Sequence, residues 1–126
     1  MPKEVILTDN APKPGGAYSQ GLKAGGFVFV AGQGPADPRT GKVAESIEEQ
    51  TEQTINNVEA ILKAGGATLA DVVKCTVHLS DLALFQRFNA VYGKRFPDPK
   101  PTRTTVGSQL NNILVEIDCM AYVGDK

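Results

Sequence analysis

The sequence predicts an α+β fold in which two helices pack on one face of a mixed β-sheet. Residues 27–31 are apolar at every position, which indicates a strand with both faces buried. Residues 72–79 alternate between apolar and polar side chains, as in a strand with one covered face. Two other segments, which begin near Ser46 and Ser80, carry apolar residues at helical spacing. Strands and helices are thus mixed along the chain, which favours an α+β layout.

Three strands are predicted before the first helix. Lys3–Leu7 forms the first strand, and a loop rich in proline and glycine separates it from a second strand at Tyr18–Lys23. Gly25 and Gly26 make a turn into the third strand at residues 27–31, and another turn-rich loop follows. Because glycine and proline interrupt regular structure, this spacing indicates short strands joined by turns.

The first helix opens at Ser46. Ser46 and Glu49 fit a capping box, in which the two side chains satisfy free backbone N–H groups at the start of a helix. Gly65 and Gly66 end the helix. Its predicted apolar stripe consists of Ile47, Thr51, Ile55, Val58 and Leu62.

The second half of the chain adds one helix and three strands. The alternating strand at residues 72–79 comes first, and Ser80–Asp81 begins the second helix. Prolines at residues 97–101 end that helix because proline cannot continue its hydrogen bonding. Strands at 102–107 and 113–123 complete the order β-β-β-α-β-α-β-β. The stripe of the second helix consists of Phe85, Phe88, Tyr92 and Phe96.

Two helices cover only one face of a sheet of five or six strands. Apolar residues nevertheless point to both faces at 27–30, and Leu114 and Met120 point away from their apolar neighbours on the last strand. We therefore expect a homo-oligomer that buries sheet against sheet. The alternative is a monomer with a polar, hydrated face, which Lys74, Thr76 and His78 favour.

Composition narrows the class of protein. At 126 residues the chain is long enough for a core, and we expect one domain over 1–126. The formal net charge is −1, so there is no basic excess to attract nucleic acid or an anionic membrane. No apolar run is long enough to span a bilayer, and the N-terminal residues lack a signal-peptide pattern. We expect a cytoplasmic protein.

The sequence offers little for a metal or a nucleophilic thiol. Cys75 and Cys119 are isolated in strand-like segments, and His78 is the single histidine. We therefore expect no metal site and two reduced core cysteines. A catalytic thiol is the alternative, and it would need a nearby base. P-loop, G-x-S-x-G and dinucleotide fingerprints are absent from the sequence.

Arg103 is the first candidate for a functional residue. It stands in the β-branched stretch "PTRTTVG", and an arginine on a buried strand needs an anion as a partner. If the last two strands pair as a hairpin, Glu116 or Asp118 lies within reach and the pair is structural. Otherwise Arg103 is free for a ligand's carboxylate, whose two oxygens match the planar fork of the guanidinium. Both interpretations remain open on the residues alone.

Glu116 carries the same ambiguity. A carboxylate in an apolar strand tends toward a raised pKa, which suits a general acid or base, but a solvated strand end is the alternative. Tyr18 follows a glycine-rich loop of the kind that lines pockets, or simply anchors the fold. Asn89 follows Phe88 on the second helix, where most asparagines lie on the surface. His78 is interpreted as an interface or interior residue rather than a catalyst.

Seven blocks of sequence follow one another in a recognisable order and spacing. The blocks are "GGAYSQG", "VAGQGPADPRTGK", "QTINNVEAILKAGG", "VVKCTVHLSDL", "FNAVY", "PTRTTV" and "VEIDCMAYV". Together they resemble the RidA family, also called YjgF or the reactive-intermediate deaminases, over nearly the whole chain. The resemblance implies a chorismate-mutase-like subunit in a homotrimer. In that assembly the sheets form a central barrel, and a cleft lies at each subunit boundary.

The resemblance also implies an activity, which is the hydrolysis of 2-imino acids and their enamine tautomers to 2-oxo acids and ammonia. The imines of pyruvate and 2-oxobutanoate are the usual substrates, and neither a metal nor an organic cofactor is implied. The family's carboxylate-binding arginine falls on Arg103 and its acid falls on Glu116. Its tyrosine falls on Tyr18 and its asparagine on Asn89.

Two family positions differ in this chain. Ala31 stands where the family often has a serine whose hydroxyl lines the pocket, and Thr105 stands where many members have cysteine. These departures leave the arginine chemistry intact, and the hydrogen bond of the serine hydroxyl is missing at Ala31. Backbone groups near Gly32 and Thr105 are expected to help hold the carboxylate. The alternative functions are a non-catalytic module that binds small carboxylates and an endoribonuclease that inhibits translation.

Overall fold

The computed structural model describes residues 2–124, and it confirms the α+β fold with both helices on one face of the sheet. Short 3₁₀ turns at Leu69–Asp71 and Leu82–Leu84 precede β4 and α2. The elements are β1 (Lys3–Ile6), β2 (Gly21–Ala24), β3 (Phe27–Gln33), α1 (Ile47–Ala64), β4 (Val72–Leu79), α2 (Phe85–Arg95), β5 (Thr102–Gly107) and β6 (Val115–Tyr122).

The six strands form one sheet in the order β1-β2-β3-β6-β4-β5. Only β4 and β5 run parallel, because α2 carries the chain back to the same end of the sheet between them. The last strand, β6, inserts between β3 and β4. The pairing of the last two strands as a hairpin, which the sequence analysis considered as one possibility, is therefore wrong, because β4 lies between β5 and β6.

Two strand boundaries differ from the sequence prediction. The second strand begins at Gly21 rather than Tyr18, because residues 15–18 form a bend in which the Gly15 backbone N–H donates to Tyr18 Oη at 3.0 Å. The last strand begins at Val115 rather than Ile113, because residues 111–112 turn and Asn112 has a φ of 61°. The other element assignments differ by a few residues at their ends.

Helix α1 starts where the capping residues predict. The Glu49 backbone N–H donates to Ser46 Oγ at 3.1 Å, and the Ser46 hydroxyl donates to Glu49 Oε1 at 3.0 Å. Ser46 Oγ therefore makes two hydrogen bonds: it caps the backbone N–H of Glu49, and its hydroxyl donates to the Glu49 carboxylate. All five residues of the predicted stripe are buried against the sheet. The helix ends at Ala64, and the N–H of the next residue, Gly65, bonds back to the carbonyls of the last turn.

The two helices are joined by ion pairs on their outer sides. Arg87 on α2 donates through Nε and Nη2 to the two carboxylate oxygens of Glu48 on α1, both at 2.8 Å. Arg95 makes a second connection, with Nη1 2.7 Å from Glu52 Oε1. These pairs fix α2 beside α1 and hence place the face of α2 that meets β5.

Buried amide side chains hold the loops around the sheet. Gln20 donates to the carbonyls of Thr8 and Pro12 at 3.2 and 2.8 Å, which pins the N-terminal loop. Asn57 donates to the carbonyls of Gly34 and Ala36, both at 2.9 Å, and so holds the loop after β3. Because each buried amide satisfies several backbone groups, these loops have defined positions beside the sheet ends.

The sheet face opposite the helices, called here the open face, carries large apolar side chains. Phe27 and Phe29 on β3 remain 37% and 39% exposed, and Tyr122 on β6 remains 49% exposed. Their rings lie against one another, with centroids 6.2 Å apart for Phe27 and Phe29 and 5.0 Å apart for Phe27 and Tyr122. The other part of the open face, on β4 and β6, is polar and includes Lys74, Thr76 and Asp118.

Candidate active site

Arg103 lies on the edge strand β5 and points toward α2. Its Nη1 donates to Asn89 Oδ1 at 2.8 Å. Its Cζ lies 4.7 Å from the centroid of the Tyr92 ring, with the rings of Phe85 and Phe88 at 5.4 and 5.9 Å. Cations at these distances from aromatic faces are attracted by the ring quadrupoles. The guanidinium therefore rests on an aromatic platform, defined as Phe85, Phe88 and Tyr92.

No carboxylate lies within ion-pair distance of Arg103 among residues 2–124. The interpretation of Arg103 as the partner of Glu116 or Asp118 is thus wrong within one chain. Both acids sit on β6, two strand positions from β5, and they point to the open face. A guanidinium has five N–H groups, and here one donates to Asn89. The remaining donors are free of protein partners in the described chain.

Thr105 lies two residues beyond Arg103 on the same face of β5. It pairs with Val77 of β4, just as Arg103 pairs with Cys75, so both side chains point to the helix side. Thr105 Oγ1 is buried and has no hydrogen-bond partner among residues 2–124. A buried hydroxyl without a partner is costly, so this oxygen is an unused hydrogen-bonding group close to the arginine.

Glu116 lies beside Gly32, at a bulge in β3. The register between β3 and β6 shifts between Val30 and Gln33, which brings the backbone of Gly32 up to the carboxylate. A Cβ atom on Gly32 would lie 2.8 Å from Glu116 Oε2, so only glycine leaves room for the carboxylate in this position. The half-buried Glu116 also pairs across the sheet with His78 on the open face.

Ala31 and Tyr18 lie near this bulge. Together with Phe29 they line a depression of about 440 Å³ on the surface. Tyr18 is half exposed, and its hydroxyl accepts the bond from Gly15 described above. The predicted site residues therefore fall into two groups. One group is Arg103, Asn89 and Thr105, and the other is Tyr18, Ala31, Gly32 and Glu116.

The two groups do not meet within one chain. Arg103 faces α2, while Glu116 faces the open side of the sheet, and β4 lies between their strands. Two strand spacings amount to roughly 9–10 Å before the opposite directions of the side chains are added. A site that uses both residues must therefore receive them from two different copies of the chain.

The cysteines are core residues in the structure, as predicted. Cys75 and Cys119 face each other across β4 and β6, and both are buried free thiols. Burial raises the pKa of Cys75 to about 11, and it raises the pKa of Cys119 well above its usual value. Because a thiolate is the reactive form, these pKa directions disfavour the alternative of a catalytic thiol at neutral pH.

His78 is held on the open face by Ser108, with Nδ1 2.7 Å from Ser108 Oγ. Burial raises the pKa of the nearby Asp118 carboxyl, and His78 and Lys74 partly oppose that rise. These groups fit the prediction that His78 is an interior or interface residue. No group of three or more His, Cys, Asp or Glu side chains in the described chain is arranged to hold a metal ion.

Sequence reasoning missed the aromatic platform. Phe85, Phe88 and Tyr92 stand at helical spacing and were interpreted only as the core stripe of α2. The structure shows that the same rings also support Arg103. The sequence does show an aromatic helix face followed by a strand that carries an arginine. That these two features meet in space follows only once β5 is known to pair in parallel with β4.

A six-stranded mixed sheet backed by two helices is an α+β architecture that this chain shares with solved structures of one class of proteins. Residues 8–123 match the family described as Endoribonuclease L-PSP. A RutC family protein from Pyrococcus horikoshii is 50% identical over 123 residues, which cover 95% of this chain and 98% of that protein. The chain belongs to this family, which is also known as the YjgF, RidA or RutC family.

Two further relatives carry more specific names. The chloroplastic Reactive Intermediate Deaminase A of Arabidopsis thaliana is 48% identical over 122 residues, covering 94% of this chain and 65% of that protein. The crystal structure of Escherichia coli TdcF with bound serine superposes with a TM-score of 0.90 at 33% identity. That superposition covers 94% of this chain and 98% of TdcF. Within residues 2–124, no helix is both long and apolar enough to cross a membrane.

Proposed function

We propose that the protein hydrolyses reactive 2-imino acids and their enamine tautomers, such as 2-iminobutanoate and 2-iminopropanoate, to 2-oxo acids and ammonia. The observation that carries the proposal is Arg103, a half-buried guanidinium fixed on an aromatic platform with no carboxylate partner among residues 2–124. Such a group needs an anion, and a 2-imino acid brings one. The relative named Reactive Intermediate Deaminase A supports a deaminase, and TdcF with bound serine supports a small carboxylate as ligand.

The site is completed by a second copy of the chain. The open face carries exposed aromatic side chains that a partner copy would cover, and we infer the homotrimer that the family resemblance implies. Assembly brings the group of Arg103, Asn89 and Thr105 from one copy to the group of Tyr18, Ala31, Gly32 and Glu116 of its neighbour. The resulting cleft contains one cation for the substrate and one carboxylate for proton transfer.

The reaction then needs few groups. Arg103 binds the substrate carboxylate in a bidentate geometry, with two parallel N–H···O bonds. Backbone groups near Gly32 and Thr105 hold the same carboxylate in place. Glu116 accepts a proton from water as the water oxygen bonds to C2 of the protonated imine, which yields a neutral carbinolamine. Glu116 returns this proton to the amino nitrogen. The C–N bond then breaks as the hydroxyl proton of the carbinolamine passes to the Glu116 carboxylate, which leaves the 2-oxo acid and ammonia. No metal or cofactor enters this scheme. Orientation and one acid–base group supply about 10²–10⁴-fold, which suffices for an imine that also hydrolyses in water.

The direct test couples a threonine dehydratase to the purified protein and follows 2-oxobutanoate release in the presence of an imine trap. We expect faster release with the wild-type protein. Arg103→Ala should lower kcat/KM about a hundredfold or more, and Arg103→Lys should also be impaired. Glu116→Gln should lower kcat with the fold intact. Wild-type rates for Arg103→Ala would overturn the proposal, and unchanged turnover for Glu116→Gln would make Glu116 structural.

Mixing two inactive variants tests whether the site is shared between copies. Arg103→Ala keeps Glu116, and Glu116→Gln keeps Arg103, so a mixed assembly contains some intact sites. Random mixing of equal amounts restores about one quarter of the sites in a closed ring. A mixture of Glu116→Gln with Glu116→Ala is the matched control and should restore none. Recovery no greater than in this control would contradict a site that is shared between copies.

The family description raises RNA cleavage as a second candidate function. A net charge of −1 gives no general attraction for phosphates, and strong RNA binding normally uses a basic groove with stacked aromatic rings. We therefore expect no cleavage of single-stranded RNA by the purified protein. If the dehydratase assay shows no effect while small acids still bind at Arg103, the protein is a carboxylate-binding module instead.

A further inference from the structure

We propose that Tyr92 is a positioning residue, whose ring holds the Arg103 guanidinium in the orientation that receives the ligand's carboxylate. This inference rests on the proposed function, because it assigns a role to Tyr92 in the same site. Tyr92 belongs to no site predicted from the sequence. It contacts Arg103 through the face of its ring and not through a hydrogen bond. Its part in the reaction is exerted through the arginine.

The first argument is distance. Among the three rings of the aromatic platform, Tyr92 lies closest to the guanidinium, with Cζ 4.7 Å from the ring centroid. An arginine near a desolvated aromatic face is held more firmly than one at an exposed ring. Tyr92 is only 3% exposed, so its ring is screened from water.

The second argument is the rigidity of the ring itself. Tyr92 stacks on Phe96 at a centroid distance of 4.4 Å and packs against Phe88 at 5.5 Å. Both neighbours are fully buried, which leaves the Tyr92 ring no space to turn aside. A ring fixed in this way gives the guanidinium a defined surface rather than a mobile contact.

The third argument is that two residues of α2, Asn89 and Tyr92, restrain different parts of the Arg103 guanidinium. Asn89 stands one turn before Tyr92 on the same helix face and accepts a hydrogen bond from Nη1 at 2.8 Å. The amide fixes one edge of the guanidinium, while the ring fixes its distance from the helix. With these two restraints the remaining N–H groups have one orientation. An arginine held on a platform loses less side-chain freedom on binding, so the carboxylate is bound more tightly.

The hydroxyl of Tyr92 has no part in this role. Tyr92 Oη makes no hydrogen bond with a nitrogen or oxygen of residues 2–124, and burial raises the pKa of the phenol, with Cys75 beside it adding to the effect. The phenol is therefore neutral at ordinary pH. Replacing tyrosine with phenylalanine removes this hydroxyl but retains the ring under Arg103.

The experiment compares three variants of the full-length protein. Tyr92→Phe keeps the ring and Tyr92→Leu removes it. Ile61→Val is the control, because Ile61 is also fully buried but lies on α1 against Gly21 of β2, away from the platform. The probes are 2-oxobutanoate, which has a carboxylate, and its uncharged amide, with affinities measured by calorimetry. Phe85→Leu provides a second platform variant at a half-buried position if Tyr92→Leu does not fold.

We expect Tyr92→Leu to weaken 2-oxobutanoate binding about tenfold, while Tyr92→Phe and Ile61→Val change it little. Binding of the amide should be the same in all variants. The order parameter of the Arg103 Nε–H group, measured by NMR without ligand, should fall in Tyr92→Leu and stay unchanged in Tyr92→Phe and Ile61→Val. Equal losses in Tyr92→Leu and Ile61→Val, or an order parameter unchanged in Tyr92→Leu, would overturn the proposal. If the wild type binds neither probe, the proposed function fails, and the NMR measurement still decides the role of Tyr92.

Discussion

The carboxylate of Glu116 occupies the space that a side chain on Gly32 would fill. A Cβ atom at Gly32 would lie 2.8 Å from Glu116 Oε2 and 3.0 Å from its carboxyl carbon. The glycine therefore sets the position of the acid, although it carries no functional group itself. This relationship links the bulge in β3 directly to the proposed chemistry.

The first prediction concerns that glycine. Gly32→Ala should lower kcat by roughly 10–100-fold, because the methyl group displaces the flexible end of Glu116. The fold should survive, since Gly32 does not have a positive φ and the displaced atoms belong to a side chain. The measurement is kcat in the dehydratase-coupled assay, together with the melting temperature.

Gly93→Ala is the control for this substitution. Gly93 is exposed on α2, and a Cβ there would have no neighbour within 4 Å. Alanine should raise the free energy of unfolding by about 1 kcal/mol, through its better helix propensity, and leave kcat unchanged. A Gly32→Ala variant with the kcat of the wild type would mean that the position of Glu116 does not matter.

The second prediction concerns Asn89, which holds one edge of Arg103. Asn89→Ala should raise KM about tenfold, because a hydrogen bond to a charged group is lost. Asn89→Asp should raise KM as well, since a carboxylate in this place would pair with the guanidinium and compete with the ligand. Gln86→Ala, at an exposed position of α2, is the control. Wild-type KM values for both Asn89 variants would separate this residue from the site.

The third prediction concerns assembly through the open face. Phe29→Asp should dissociate the proposed trimer, because a carboxylate would be buried in an apolar contact. Val43→Asp is the control, since Val43 and Phe29 are both 39% exposed but Val43 lies in the loop before α1. The oligomeric state is measured by sedimentation equilibrium. A Phe29→Asp variant with the mass of the wild type, or a monomeric wild type, would contradict the proposed interface.

The fourth prediction concerns acid stability. The hydrogen bonds from Arg87 lower the pKa of Glu48 from 4.5 to about 2 in the folded protein. The ion pair therefore stabilises the folded state at pH values at which Glu48 is ionised in both the folded and the unfolded protein. This contribution should be fully present above about pH 4.5 and should be lost as the pH falls toward 2. Both side chains are exposed, so added salt should weaken the effect.

Unfolding by urea at several pH values, for the wild type and Glu48→Gln, measures this contribution. The difference in the free energy of unfolding between the two proteins should shrink as the pH is lowered through that range. Glu52→Gln offers a comparison at the second connection between the helices. A difference for Glu48→Gln that stays constant from neutral to acid pH would show that the ion pair is not its cause.

Local sequence signals predicted most of the elements. Ser46 and Glu49 marked the start of α1, and the alternation at 72–79 gave β4 with its true bounds. These features depend on neighbours along the chain, namely capping groups and the side-chain period, so they are readable before folding is known. The second strand was misplaced because Tyr18 makes a local turn contact that no period reveals.

The identities of the candidate site residues came from sequence, whereas their relation in space did not. Arg103, Glu116, Tyr18 and Asn89 could all be named from the chain and its family resemblance. Only the fold decided that Arg103 faces α2 while Glu116 faces the open side of the sheet, with β4 between their strands. The reason is that strand order and side-chain direction depend on pairings between distant segments, and a shift of one residue reverses the face to which a side chain points. Sequence thus supplied the chemical groups, and the long-range packing of β6 between β3 and β4 determined that one copy of the chain holds only half of the proposed site.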